Sequence, residues 1–97
     1  TDPSGGAGSQ ADIKTISATG CYAASVISIL VAQNTMGVRG IHAIPADFVE
    51  QQLNAVADDL DIKAIKIGML YSQKIMQSVI AFLKKNTRKN IVLDPVI

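Results

Sequence analysis

The segment Thr1-Asp2-Pro3-Ser4-Gly5-Gly6-Ala7-Gly8 sets a run of small residues directly ahead of a stretch with helical character. Glycine lets a backbone take positive φ and approach a ligand with no Cβ in the way. A helix N-terminus behind such a loop aims unpaired N–H groups at a polar or anionic group. Ser4 to Ala7 carry no bulky side chain at all, which is more than a turn requires. The chemistry served is the close cradling of a ligand. An intact domain rarely opens on such a loop, so a partial domain is expected. The same glycines fit G-x-G-x-x-G/A over Gly6 to Ala11, but that dinucleotide fingerprint needs an acidic residue at the end of the next strand. The chain has Gln33 there.

Other polar residues with chemical capacity fall at the ends of apolar segments. Asp12 has two readings, a carboxylate complementing the helix dipole or a hydrogen bond to substrate. Asp2 either caps a short turn or contacts substrate or metal. The Gln33 amide offers one acceptor and two donors, which match the ring nitrogen and amino group of an aminopyrimidine edge. Its plainer reading is a loop amide bonded to backbone. Lys66 lies in the apolar run Ala64 to Gly68, where a lysine is costly to bury unless paired. Met69 is either core or a thioether packed on a flat ring. Asp94 precedes Pro95, which stops a ladder; a carboxylate there meets metal, water or phosphate, or caps the next loop. His42 has no ligand-type residue at metal spacing and reads as a surface or edge side chain.

These residues need elements to position them. A helix is expected from about Gly8 to Thr19, with Gly20 as its left-handed stop. Strands are expected over Ala24–Ala32 and Val38–Ile44, separated by the polar break Gln33 to Gly37. Pro45 introduces a helix over about Asp47 to Leu60, with Val49, Leu53, Val56 and Leu60 at helical period. A strand over Ala64–Gly68 follows. Ser72 has the character of an N-cap, and the helix behind it shows Ile75, Met76, Val79, Ile80 and Leu83 on one face. A last strand covers Ile91–Leu93. Helices between strands imply right-handed crossovers and an α/β fold with a mainly parallel sheet flanked by helices. Ligands bind beyond the carboxyl ends of such strands, where Gln33, Lys66 to Met69 and Asp94 fall.

Hydrophobic residues make up 48% of the 97, with mean hydropathy +0.29. That richness suits parallel strands buried on both faces. The net charge of +1 excludes the electrostatic footprint of a nucleic-acid or membrane-surface binder. Lys84, Lys85, Arg88 and Lys89 form the one basic cluster, at a helix C-terminus where cations complement the dipole. The single Cys21 rules out an internal disulfide, fits a reducing compartment and reads as a small buried hydrophobe. The longest apolar run, Ala23 to Ala32, is interrupted by Ser25 and Ser28 and is too short to span a bilayer. No charged n-region with an apolar core behind it opens the chain.

Taken in order, Thr1 to Gly8, Gln10-Ala11-Asp12-x-Lys14-Thr15, Ala32-Gln33-Asn34-Thr35-x-Gly37-Val38, Lys66-Ile67-Gly68-Met69-Leu70 and Asp94-Pro95-Val96 resemble the bacterial hydroxymethylpyrimidine/phosphomethylpyrimidine kinases of thiamine biosynthesis, members of the ribokinase-like superfamily. The resemblance implies that residues 1–97 are the N-terminal part of a single ribokinase-like kinase domain, cytoplasmic and homodimeric at full length. It implies phosphorylation of 4-amino-5-hydroxymethyl-2-methylpyrimidine by MgATP, then of the monophosphate. Gly5, Gly6 and Gly8 would line the substrate loop, and Asp12 and Gln33 would contact the pyrimidine, with Val31 and Met69 beside it. Asp94 would lie near Mg²⁺ and the phosphates. The family carries Glu or Gln at the position of Gln33. The first strand would precede Thr1, while most of the ATP site, the anion hole and the catalytic base would follow Ile97. Related pyridoxal kinases leave vitamin B6 phosphorylation as an alternative. A non-catalytic pyrimidine- or nucleotide-binding module is a second one.

Overall fold

A computed structural model describes residues 8–68, 70–86 and 90–93. The described elements are α1 (Gly8–Ala18), β1 (Ile29–Asn34), β2 (Gly37–Ala43), α2 (Ala46–Asp59), β3 (Ala64–Ile67), α3 (Gln73–Lys85) and β4 (Asn90–Leu93). They fall into two units, Thr1–Ile44 and Pro45–Ile97.

In the first unit, α1 begins on Gly8 at φ 75 and stops at Gly20, whose φ of 86 is left-handed. The Cys21 N–H donates to the Ile16 carbonyl and the Gly20 N–H to the Ser17 carbonyl. These two bonds are the Schellman pattern, with Gly20 just past the cap, and they satisfy carbonyls that the helix end would leave bare. The chain then leaves the surface turn through Cys21, which is exposed rather than buried. The expected strand from Ala24 starts only at Ile29. The reason is pairing: β1 exists where β2 lies opposite, and the last ladder bond runs from the Ile44 N–H to the Ser28 carbonyl. Residues 21–28 precede the paired segment and carry no regular secondary structure.

β1 and β2 pair antiparallel through a two-residue turn, Thr35-Met36. The Asn34 side-chain oxygen accepts from the Met36 N–H at 2.8 Å and holds that turn. Neither turn residue takes positive φ, so this is not the primed turn whose twist matches a hairpin. Gly37, at φ 143, accommodates the difference. The ladder then breaks register: Gln33 pairs with Val38, but Ala32 pairs with Gly40, leaving Arg39 as a bulge.

In the second unit, Pro45 (φ −55, ψ 141) precedes α2 at the N-cap position. Its extended conformation and fixed φ make a clean helix entry. Val49 is buried, while Leu53, Val56 and Leu60 are half-buried, as their period requires. Ser72 caps α3, accepting the Ile75 N–H at 3.2 Å. α2 and α3 pack on one another. The buried set on α3 is Ile75, Val79 and Phe82. Phe82 replaces Met76 and Ile80 of the expected face; these two lie one residue further round and are exposed. The strands on either side of α3 behave as a crossover predicts: β3 and β4 pair parallel, from Ala64↔Asn90 to Ile67↔Leu93. Lys66 sits in β3 opposite Val92 and is exposed, so no burial cost arises. Lys84 and Lys85 occupy the last turn of α3 as expected, and Arg88 and Lys89 lie outside the described residues.

Candidate functional site

The residues singled out for substrate binding fall into two groups. Gly8, Asp12, Val31 and Gln33 are described, all in the first unit. Gly5, Gly6, Met69 and the metal candidate Asp94 lie outside the described residues.

Gln33 is not in a polar break. It is the fifth residue of β1, cross-strand from Val38, and half-buried. Alternation puts it on the same strand face as Val31, also half-buried, and Ile29, which is buried. An amide held on a paired strand has a defined aim, unlike one on a loop. The arrangement sets an apolar side chain and a bifunctional amide side by side. It is the kind of surface that takes a flat heterocycle with a polar edge.

Asp12 lies in the second turn of α1, half-buried, and the first turn of α1 holds no acidic residue. The helix-dipole benefit fades beyond the first turn, so the structure weakens that reading of Asp12. Among the described residues α1 does not pack on β1 or β2. Thr15 turns its hydroxyl back to the Ala11 carbonyl at 3.0 Å and is spent inside the helix.

An open groove of about 410 Å³ on the hairpin is lined by Leu30, Val31, Ala32, Gly40, Ile41 and His42. It holds Val31 but neither Gln33 nor Asp12. We locate the candidate site at Gln33 and Val31, because the groove is open and offers a ligand only His42 among charged or polar side chains. His42 is exposed, as its sequence context indicates. Among the described residues no three His, Cys, Asp or Glu side chains gather to hold a metal, and no helix is long and apolar enough to cross a membrane. The sequence reading misses the bulge at Arg39. The only trace of it is the Gly-Val-Arg-Gly spacing of Gly37 to Gly40, in which glycines bracket the extra residue.

An antiparallel hairpin, a parallel β-α-β crossover and three helices place the described residues in the α/β class. Residues 2–97 match the sequence profile of phosphomethylpyrimidine kinase, and the chain belongs to that family. It is 52% identical over 96 residues to the hydroxymethylpyrimidine/phosphomethylpyrimidine kinase of Escherichia coli K12, covering 99% of this chain and 36% of that protein. It is 48% identical over 96 residues to a thiamine biosynthesis multifunctional protein of Corynebacterium efficiens, covering 99% of this chain and 13% of that one. The crystal structure of phosphomethylpyrimidine kinase from Clostridium difficile 630 superposes with a TM-score of 0.92 at 44% identity, over 97% of this chain and 41% of that one. A structure described as the last common ancestor of HMPPK and PLK/HMPPK vitamin kinases gives 0.88 at 43% identity, over all of this chain and 45% of that one. The fold is thus a partial ribokinase-like domain, and the chain spans less than half of each of these relatives.

Proposed function

We propose that residues 1–97 are the N-terminal, acceptor-binding part of a single kinase domain, and that the full-length parent phosphorylates 4-amino-5-hydroxymethyl-2-methylpyrimidine and then its monophosphate with ATP. The match of residues 2–97 to the phosphomethylpyrimidine kinase family carries this reading. Gln33 accepts from the pyrimidine amino group and donates to the adjacent ring nitrogen, while Val31 and Met69 cover the ring. Gly5, Gly6 and Gly8 bring backbone against the substrate, and Asp12 adds a hydrogen bond. Phosphoryl transfer rests on positioning and on neutralising charge around the transferred group. Asp94 has the donor chemistry for Mg²⁺, which takes one or two carboxylates and keeps several waters; bound there, the ion would offset phosphate charge. The catalytic base belongs to the rest of the domain. The parent is proposed to act in the cytoplasm as a homodimer.

The likeness to the vitamin-kinase ancestor supports pyridoxal as a second acceptor. The test is turnover by the full-length parent with MgATP and each alcohol in turn. Phosphorylated hydroxymethylpyrimidine is the expected product. Turnover of pyridoxal alone would move the assignment to vitamin B6, and tight pyrimidine binding without any turnover would make the protein a binding module.

A further inference from the structure

We infer that Arg39, the extra residue of β2, is a positioning residue for Gln33; this rests on the reading of Gln33 as the pyrimidine contact. The pairs Ala32↔Gly40 and Gln33↔Val38 leave Arg39 with no counterpart on β1. The turn closes on Asn34↔Gly37, and without Arg39 every remaining pair would stand in a regular one-to-one ladder. Crowding at Gly40 does not require the extra residue: a Cβ there would meet only the Ala32 Cβ, at 3.9 Å, an ordinary contact.

A bulge bends its strand, raises the local twist and re-aims neighbouring side chains. This one falls between the pair that holds Ala32 and the pair that holds Gln33. The added twist falls between these two pairs of the ladder, and through it we infer that Gln33 is turned relative to Val31, two residues back on the same face. The two react differently to such a rotation. Apolar contact by Val31 is non-directional. The Gln33 amide is directional, since hydrogen bonds weaken steeply as they bend. The extra backbone residue thus sets the angle at which the amide meets the heterocycle edge, and Arg39 acts through Gln33 without touching the ligand.

The experiment uses the full-length parent. Deletion of Arg39 removes the bulge. Insertion of one alanine between Gln33 and Asn34 also removes it, by giving Arg39 a partner while Gln33 stays two residues after Val31; it serves where the deletion fails to fold. Either variant is expected to raise the pyrimidine KM at least tenfold and to leave the ATP KM within twofold. In a Gln33→Leu background the same change should alter the pyrimidine KM less than twofold, because its effect runs through the amide. An unchanged pyrimidine KM in a folded variant overturns the inference, as does an effect that multiplies with that of Gln33→Leu. A wild-type parent with no pyrimidine turnover or binding removes the underlying reading as well, whereas normal wild-type turnover with an indifferent bulge removes this inference alone.

Discussion

Replacing Ile75 by alanine tests the core that carries α3. Ile75 is 1% exposed, and it is the third residue of α3, its N–H donated to the Ser72 hydroxyl. Alanine keeps that N–H, so the cap survives and only packing is lost. Three carbon atoms leave the core; at about 0.8 kcal/mol per buried methylene the transfer term is about 2.4 kcal/mol. The unfilled space raises the loss to about 3 kcal/mol, inside the range of roughly 2–5 for such truncations. Alanine returns a few tenths of a kcal/mol, about 0.4, through helix propensity. For a domain of about 150–250 residues, a net loss of about 2.6 kcal/mol lowers Tm by about 5–10 °C. Differential scanning calorimetry of the full-length parent measures this directly. A fall below about 2 °C would refute the reasoning, because a site that buried cannot lose three carbons so cheaply unless the α2–α3 contact is absent in the parent.

Gln33→Leu in the parent leaves substrate polar groups unpaired at about 1–3 kcal/mol each, so the pyrimidine KM should rise at least tenfold with the ATP KM nearly unchanged; equal effects on both substrates in steady-state kinetics would assign Gln33 to folding instead. Asp94→Asn keeps shape and removes charge, and is expected to lower kcat well over tenfold and raise the Mg²⁺ requirement, while pyrimidine binding by calorimetry and Tm hold. Loss of Tm with kcat preserved would remove Asp94 from the site. In refolding of the parent, pulse-labelled amide exchange should show residues 29–43 protected before β3 and β4, and simultaneous protection would count against an independent hairpin.

The features legible in the sequence were those set by local chemistry. Gly20, Pro45 and Ser72 mark helix boundaries through φ, ring geometry and a side-chain oxygen, none of which needs a partner, and all three hold. The family signature was legible because its motifs lie in order along the chain, and the profile match over residues 2–97 agrees with it. What depends on partners was not legible. The start of β1 is fixed by the reach of β2, so Ala24 to Ser28 read as strand while the paired register begins at Ile29↔Ala43. Gln33 is polar and reads as a break, but cross-strand pairing with Val38 keeps it in the sheet. Phe82, not Met76, joins the α3 core, because the direction a stripe faces is set by the helix it packs against. Cys21 is exposed because the Schellman turn carries it outward, a consequence of Gly20 that composition does not register.

The two sheets differ in the chain entropy they must overcome. Hairpin partners stand 3 residues apart at Asn34↔Gly37 and 14 apart at Ile29↔Ala43, whereas every β3–β4 pair is 26 residues apart. Loop closure costs about 0.6 kcal/mol per doubling, so the parallel pair starts roughly 2 kcal/mol behind the innermost hairpin pair. It also has to wait for the α3 crossover, while a hairpin closes in about 1–10 μs. During synthesis at about 5–20 residues per second, β2 follows β1 within about three seconds. The strand that bears Gln33 therefore has its partner early, and β4, which among the described strands carries three exposed large apolar side chains, Ile91, Val92 and Leu93, is the last of them to find one. That ordering places the aggregation-prone interval of this chain's folding at β4 rather than at the strand proposed to meet the substrate.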